Sequence, residues 1–402
     1  MDPALTWIDL TARDRNQMRR VLDLFSEQGT IDEMGLGSLR DALSDALFPG
    51  TSSIQTRLGY ALFVPWLYQR LEARHAGGLD IDNAARTSEI DLNGALTKSS
   101  DTEGIIGSRA RGGLTRLPST VFWSALTRWG IFLPGWSQSY YHTHFSDLAG
   151  GREFLLHADD PGVVWTRQPT WHPRLPEAPK GFPWEASFAL RRQDADFLRG
   201  RLEERCASSL LGWLAREGST APAEDFWEDP DALRANTRIR DAIELARRFS
   251  LLFEGAPLLY NLLLAERRLD LQETARDRNL IDEYRADVHE WAVRESSESR
   301  FNTSALWQLA ARRALRVPEP QHRFVETWTN RMAQIGATAV ADDSLLRRLV
   351  DQRERQLKGA RARLANQARL LDWRGRVGVG RMDFRWFRVR QLLIDLHRGL
   401  AA

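Results

Sequence analysis

Apolar residues recur at every third or fourth position through most of the chain, which is the spacing of one face of an α-helix. In residues 35–72 this pattern predicts two helices that pack back to back across a tight turn. Pro49 and Gly50 mark the turn, because proline cannot continue a helix and glycine accepts a left-handed conformation. We expect Ser38 to cap the first helix, and Pro65 to kink the second or shift its start.

Helical spacing also fills residues 12–27 and, after residue 185, most of the remaining chain. We predict helices over residues 187–217, 230–252, 255–268, 270–296, 303–315, 319–336 and 343–372. Residues 133–184 lack this period and are rich in proline, tryptophan, histidine and glycine, which is typical of loops. Short strands are predicted at residues 5–10, 154–156 and 163–165.

The pattern therefore predicts a mainly α-helical protein with a loop-rich central junction and a few short strands. We expect an N-terminal helical domain over residues 1–132 and a Pro/Trp/Gly-rich junction over residues 133–186. A C-terminal helical domain would cover residues 187–402 and end in a basic arm, residues 345–402. A chain of 402 residues is long enough for two or three domains.

Composition narrows the classes of site that the chain could carry. The single cysteine, Cys206, excludes a disulfide within the chain and any multi-cysteine zinc or iron–sulfur site. The sequence has no apolar run long enough to span a membrane and no pattern of a signal peptide at its N-terminus. We therefore expect a cytoplasmic protein without a membrane partner.

Positive charge is concentrated near the C-terminus. Residues 345–402 contain fourteen arginines and one lysine against five acidic residues, a net charge of +10. The whole chain carries only +2, so the remainder carries about −8. This asymmetry suggests an anionic partner for the C-terminal segment.

Arginine interspersed with aromatic residues suits nucleic acid, because guanidinium groups contact phosphates and rings stack on unpaired bases. The candidate contacts in the C-terminal segment are Arg361, Arg363, Arg369, Arg374, Arg376, Arg381, Arg385, Trp386 and Arg388. In the alternative interpretation the rings belong to the core, and the arginines are solvated or bind an acidic protein surface.

A glycine-rich loop at residues 104–113 contains Arg109 and Arg111 and precedes a predicted helix that starts near Ser119. Backbone N–H groups of such a loop can hold a phosphate, which makes both arginines candidate nucleic-acid contacts. The loop lacks the Gly-Lys-Ser/Thr ending of a P-loop. The alternative is an ordinary flexible surface loop.

Catalytic and metal-binding patterns are sparse, and we predict no cofactor. His142 and His144, with Asp147 three residues on, could bind a divalent metal, although no matching ligand set is evident and chance placement in a polar loop explains the pattern better. The chain has no histidine two residues before a lysine, as a phospholipase-D-type motif requires, and no Gly-x-Ser-x-Gly elbow.

Several short segments carry a likeness to known sequences: residues 35–41, 47–52, 54–57, 63–66, 104–107 and 117–119, Trp123, and residues 380–383. In these segments the chain resembles an uncharacterised bacterial protein family found in antiphage defence gene clusters, beside genes for helicases and phospholipase-D-like nucleases. The resemblance implies a genomic context and transfers no catalytic residue.

Our leading hypothesis is a non-catalytic subunit of an antiphage defence system that binds DNA or RNA and docks a helicase or nuclease encoded nearby. One alternative is a protein–protein scaffold whose tryptophans and C-terminal arginines form interfaces. A second alternative is a metal-dependent hydrolase or nuclease that uses His142 and His144.

Overall fold

The computed structural model describes residues 32–74, 80–107, 116–146, 169–272 and 275–402. Over these ranges the protein is mainly helical, which confirms the predicted class. Their β pairing is limited to an isolated antiparallel bridge between Phe132 and Trp171. The helix predicted at residues 12–27 and the strands predicted at residues 5–10, 154–156 and 163–165 lie outside the described residues.

The α-helices of the described residues are numbered in chain order. The first are α1 (Gly37–Leu47), α2 (Tyr60–Ala73), α3 (Ile81–Leu96), α4 (Pro118–Arg128) and α5 (Gln138–Thr143). Next come α6 (Arg192–Arg205), α7 (Leu210–Glu217), α8 (Pro230–Leu233), α9 (Thr237–Leu269) and α10 (Ala275–Ser296). The last are α11 (Thr303–Arg312), α12 (Glu319–Met332), α13 (Ser344–Lys358), α14 (Gln367–Leu371) and α15 (Trp386–Ala401).

The predicted hairpin of α1 and α2 is wrong. Helix α1 packs on α9 and α11, whereas α2 packs on α3 and α4. The predicted cap is wrong too, because the Asp32 carboxylate accepts the N–H groups of Leu36 and Gly37, both at 2.7 Å. The Ser38 hydroxyl instead donates to Gln321 at 3.3 Å. The apolar face of α1 is covered by helices distant in sequence, which local spacing could not reveal.

Helix α9 is continuous where the sequence predicted a break between residues 252 and 255. A Cβ at Gly255 would lie 2.1 Å from the Trp291 ring, so glycine here allows α10 to pack closely. The indole N–H groups of Trp291 and Trp328 donate to the carbonyls of Leu251 and Leu252 at 2.7 and 3.1 Å. The packing of Trp291 and these two hydrogen bonds stabilise α9 directly before Pro257, which has no backbone N–H to donate.

The long helix predicted over residues 343–372 is in fact two helices, α13 and α14. Gly359 has φ +54°, a left-handed conformation that ends α13. The buried Glu354 carboxylate then accepts the N–H groups of Arg363 and Leu364 at 2.7 and 3.0 Å, which folds the chain back on α13. The helix predicted over residues 187–217 is likewise divided, and Ser209 caps its second part, α7.

One hydrophobic cluster runs from Met34 to Leu396 and joins the two ends of the described chain. Helix α15 packs on α6 and α7, and its Asp395 accepts the Arg57 Nε–H at 3.0 Å. Both side chains of this pair are almost fully buried. The predicted domain boundaries at residues 132 and 186 stay a prediction, and these contacts cross both of them.

Candidate nucleic-acid interface

Several C-terminal arginines that were candidate phosphate contacts are ion-paired within the protein. Arg363 contacts the buried Glu33 at 3.1 Å, and Arg376 pairs with Asp287. Arg385 donates to Asp45 Oδ1 at 2.6 Å and to the Thr51 carbonyl at 2.9 Å. These guanidinium groups already have anionic or carbonyl partners, so a phosphate would have to compete with them.

Three further candidates pack against the body of the protein. Trp386 is 1% exposed and stacks on Phe48 with ring centroids 5.7 Å apart, which leaves its face no room for a base. Arg381 lies over the Trp227 ring, with its guanidinium carbon 5.0 Å from the centroid. Arg388 donates to the Ser53 carbonyl at 3.0 Å. The alternative interpretation, with core rings and structural arginines, describes these residues better.

The remaining candidates are exposed or lie outside the described residues. Arg361 and Arg374 are exposed, and no hydrogen bond or ion pair joins either side chain to the described part of the chain. Arg369 is also exposed and lies 3.7 Å from Asp372. Arg109 and Arg111 fall in residues 108–115, which the structure does not describe. Nucleic-acid contact by these five residues stays a prediction.

A polar cleft of about 520 Å³ lies beside the turn that follows α1. We call it the α1–α4 cleft. Its lining consists of Asp41, Asp45, Pro49, Gly50, Thr51, Ser52, Ser53, Ser124, Arg128, Arg313 and Arg385. Three arginines, two aspartates and several hydroxyl groups therefore line one space, and the arginines and hydroxyls are donors of the kind that phosphate oxygens prefer.

The floor of this cleft is fixed by hydrogen bonds from the chain on both sides. The Gln55 side chain donates to the carbonyls of Gly50 and Val121 at 3.1 and 3.3 Å and accepts the Ser52 N–H. The Trp129 indole donates to the Pro49 carbonyl at 3.0 Å. The turn is thereby held against α4 before any ligand binds.

Arg385 enters the cleft through an unusual backbone conformation. Phe384 and Arg385 have φ +53° and +71°, in the left-handed region that is unfavourable for residues other than glycine. This conformation lies at the start of α15, directly before the buried Trp386. The Asp45 and Thr51 contacts then hold the guanidinium on the cleft wall.

A second basic hollow of about 390 Å³ adjoins the C-terminal end of α4, and we call it the α4–α6 depression. Its lining consists of Thr127, Gly130, Phe132, Leu133, Gly135, His172, Arg174, Arg201, Glu204 and Arg205. Ser124 and Arg128 of α4 line the cleft, while Thr127 of the same helix turn lines the depression. The two hollows together, which we call the α4 surface, contain six arginines against three carboxylates.

Three of these arginines are exposed and unpaired. No hydrogen bond or ion pair joins the side chains of Arg128, Arg174 and Arg205 to the described part of the chain. By contrast, Arg201 is buried and bonds to Trp129 and Glu204, and Arg313 bonds to the Asp45 carbonyl. Arg128, Arg174 and Arg205 are therefore the cations that a ligand could engage without breaking an internal contact.

Burial, together with neighbouring cations, lowers the pKa of two groups in these hollows. The pKa of His172 lies below its ordinary value, because burial and then the charges of Arg201 and Arg174 disfavour its protonation. The pKa of Arg313 is also lowered, by burial and by Arg128, although Asp45 acts in the opposite direction. Repulsion among cations of this kind is relieved when an anion binds.

Sequence reasoning missed the α4 surface because its unpaired arginines come from separate segments. Arg128 ends a helix, Arg174 lies in a loop and Arg205 ends another helix. The signal available was the i, i+4 placement of Ser124 and Arg128 on the polar side of α4. That signal is weak, and nothing in the sequence brings Arg174 and Arg205 beside it.

Of the two histidines considered as metal ligands, His142 lies on α5 and His144 directly follows its last residue. The His142 ring bonds through Nε2 to the Tyr68 hydroxyl at 2.7 Å and through Nδ1 to Asp82 at 2.6 Å. His144 stacks on Tyr140 with ring centroids 4.0 Å apart. Among the described residues, no three His, Cys, Asp or Glu side chains converge as metal ligands would.

Comparison with known proteins assigns the chain to a family. A model for a family of unknown function, DUF6361, matches residues 3–398. The chain belongs to this family. No curated protein and no solved structure matches the chain.

The α1–α4 cleft of this member of DUF6361 is lined in part by segments that carry the sequence resemblance. Asp41 comes from residues 35–41, and Pro49, Gly50, Thr51 and Ser52 come from residues 47–52. The segment at residues 380–383 directly precedes Phe384 and Arg385. In addition, no helix in the described ranges has both the length and the apolar character to cross a membrane.

Proposed function

We propose that the chain is a nucleic-acid-binding subunit of a bacterial antiphage defence system, and that the α4 surface is where DNA or RNA binds. The observation that carries this proposal is the group of three exposed, unpaired arginines, Arg128, Arg174 and Arg205, around one helix end. The defence context and a helicase or nuclease partner rest on the family resemblance alone.

A phosphate that binds these three arginines breaks no ion pair within the described part of the protein. An arginine in an ion pair must give up its carboxylate to take a phosphate, whereas an unpaired arginine exchanges only water and counterions.

A matched pair of variants separates this surface from the C-terminal segment. The first carries Arg128→Ala, Arg174→Ala and Arg205→Ala, and the second carries Arg361→Ala, Arg369→Ala and Arg374→Ala. All six residues are exposed. Affinities for labelled single- and double-stranded DNA and RNA are measured by fluorescence anisotropy at fixed low salt. We expect at least about a tenfold loss in the first variant and little change in the second.

The other outcomes are informative. A loss confined to the second variant would move the binding site to the C-terminal segment. Absence of salt-dependent binding by the unmodified chain, to every nucleic acid tried, would refute the nucleic-acid proposal. Circular dichroism and the unfolding midpoint of each variant serve as controls for the fold.

A second candidate function is a protein–protein scaffold, and one observation favours it. Leu357 and Leu371 are 42% and 40% exposed, close in sequence to the unpaired Arg361 and Arg374. Apolar side chains beside arginine are typical interface anchors. Leu357→Glu with Leu371→Glu should abolish co-purification with a product of a neighbouring gene and keep nucleic-acid binding. Deletion of residues 374–402 is unsuitable, because it removes α15 from the core.

A further inference from the structure

Exposed aromatic rings form a short ladder next to the α4–α6 depression. The rings of Trp136 and Tyr140 meet edge to face with centroids 5.0 Å apart, and Tyr140 stacks on His144 at 4.0 Å. Trp136 is 37% exposed and Tyr140 is 46% exposed. We call these three residues the aromatic ladder. Large rings exposed together in this way are uncommon unless they contact a ligand or partner.

The ladder is held on a rigid base. The Ser137 hydroxyl accepts the Tyr140 N–H and caps α5, and the Trp136 carbonyl accepts the indole N–H of the buried Trp123 at 2.9 Å. The His144 ring bonds through Nδ1 to the Tyr140 carbonyl at 2.9 Å. The rings therefore do not need to be ordered when a planar ligand stacks on them, which favours binding.

The ladder directly follows, in the chain, residues that line the α4–α6 depression. Leu133 and Gly135, which line the α4–α6 depression, directly precede Trp136 in the chain. Arg174 and Arg205 line the same depression. Exposed rings therefore adjoin, through Gly135, a hollow that contains unpaired arginines, which is the combination found in proteins that bind unpaired strands.

We propose that the aromatic ladder and the adjoining α4–α6 depression bind single-stranded nucleic acid, with bases stacked on Trp136 and Tyr140 and the backbone phosphates on Arg174 and Arg205. The inference rests on the proposed function and goes beyond it, because it names the form of nucleic acid. In a duplex the base faces are covered by their neighbours, so exposed rings would add nothing to phosphate contacts.

The test separates base stacking from phosphate binding. One probe is a labelled twelve-nucleotide thymidine strand, and the other is a strand with the same number of phosphates and abasic sugars. For the unmodified chain we expect the thymidine strand to bind at least about fivefold more tightly, since stacking on one ring contributes roughly a 5- to 150-fold gain in affinity.

Three variants are compared with the unmodified chain on both probes. The ladder variant carries Trp136→Leu and Tyr140→Leu. Trp184→Leu is the matched control, because Trp184 is 60% exposed and its ring packs against Arg70 rather than against the ladder. Tyr140→Leu alone keeps the test valid if the double variant does not fold. We expect the ladder variant to lose the preference for thymidine while its affinity for the abasic strand stays within about twofold. Trp184→Leu should behave like the unmodified chain.

The results distinguish failure of the inference from failure of the proposed function. Equal affinity of the unmodified chain for both strands, or tighter binding to a duplex of equal length, would overturn the inference and leave nucleic-acid binding intact. The same holds if the thymidine preference survives in the ladder variant. Absence of binding to any strand or duplex would overturn the proposed function and the inference together.

Discussion

The C-terminal segment after residue 345 and the α4 surface are both rich in arginine, but their guanidinium groups are used differently. In the C-terminal segment, Arg353, Arg363 and Arg385 bond to carbonyls or carboxylates of the N-terminal part of the described chain. On the α4 surface, Arg128, Arg174 and Arg205 make no such bond within the described residues. The first group stabilises the fold, and the second is available to a ligand.

This difference shows that net charge along a sequence is a poor guide to a binding surface. The C-terminal segment carries +10, but much of that charge is neutralised by acids from elsewhere, such as Glu33, Asp45 and Asp287. Those partners lie about 90 to 340 positions away in the chain. A few unpaired cations in a concave site are more informative than a larger number of paired ones.

The largest predicted effect concerns the buried ion pair at the C-terminal end. Asp395→Ala removes the main partner of Arg57 and an acceptor of the Leu58 N–H, so we expect a loss of about 3–5 kcal/mol in the free energy of unfolding. Asp372→Ala in the same segment is the control. Its carboxylate is 73% exposed and 3.7 Å from Arg369, so its loss should cost less than about 1 kcal/mol. Urea denaturation measures both, and similar midpoints would contradict a stabilising role for Asp395.

The next largest predicted effect is a pH dependence of stability caused by Glu89. The Glu89 carboxylate accepts the Ser119 N–H and hydroxyl at the N-terminal end of α4. Burial raises the pKa of Glu89 to about 7 from its ordinary value of 4.5. Between these pH values the folded chain binds more protons than the unfolded chain, so this group makes stability fall as pH rises toward 7. Glu89→Gln removes the titration. Relative to this variant, the unmodified chain should lose up to about 3 kcal/mol between pH 5 and pH 8.

Urea denaturation of both proteins at several pH values tests the Glu89 prediction. The difference between their free energies of unfolding should change mainly between pH 5 and pH 7 and stay constant above pH 8. A difference that does not vary with pH would mean that Glu89 titrates normally in the folded protein.

Arg385 and Arg128, which both line the α1–α4 cleft, provide a direct comparison of a paired with an unpaired arginine. Arg385→Ala breaks charge-assisted bonds to Asp45 and Thr51, so we expect a loss of about 2 kcal/mol in the free energy of unfolding. Arg128→Ala breaks no such contact and should change it by less than about 0.5 kcal/mol. Thermal unfolding followed by circular dichroism compares them. Equal destabilisation would show that Arg128 is not free.

The smallest predicted effect is a change in salt dependence. Each phosphate contact on a single strand contributes about 0.7 to the slope of log affinity against log salt concentration. Removing Arg128, Arg174 and Arg205 together should lower that slope by about 2, while the Arg361, Arg369 and Arg374 variant keeps it. Anisotropy titrations between about 50 and 200 mM salt measure this slope. A lower affinity with an unchanged slope would mean that these arginines do not contact phosphates.

Much of the fold was predictable, because helical spacing is a local signal. Most helices lie where the pattern placed them, and Pro118 at the start of α4 and the Gly359 ending of α13 follow ordinary helix rules. The errors have non-local causes. Gly255 and Pro257 continue a helix because Trp291 and Trp328 pack there, and Glu354 divides the long basic helix by binding backbone N–H groups beyond it.

The candidate site was less predictable. The sequence indicated arginine and aromatic residues as the relevant chemistry, but it indicated the wrong ring in Trp386, which is 1% exposed. The exposed rings, Trp136 and Tyr140, lie in the segment predicted as a loop-rich junction. Whether a tryptophan is buried depends on which distant helix covers it, and the spacing along one helix does not show this.

By itself, the sequence determined the helical class of the protein, the absence of disulfide chemistry within the chain and the strong bias toward arginine as its cation. Those properties follow from composition and from periods of three to four residues. Only the tertiary structure decided which arginines are paired, where the chain turns back on itself and which hollows carry unpaired cations. Ion pairs and packing join residues hundreds of positions apart, so their partners become evident only once the chain has folded.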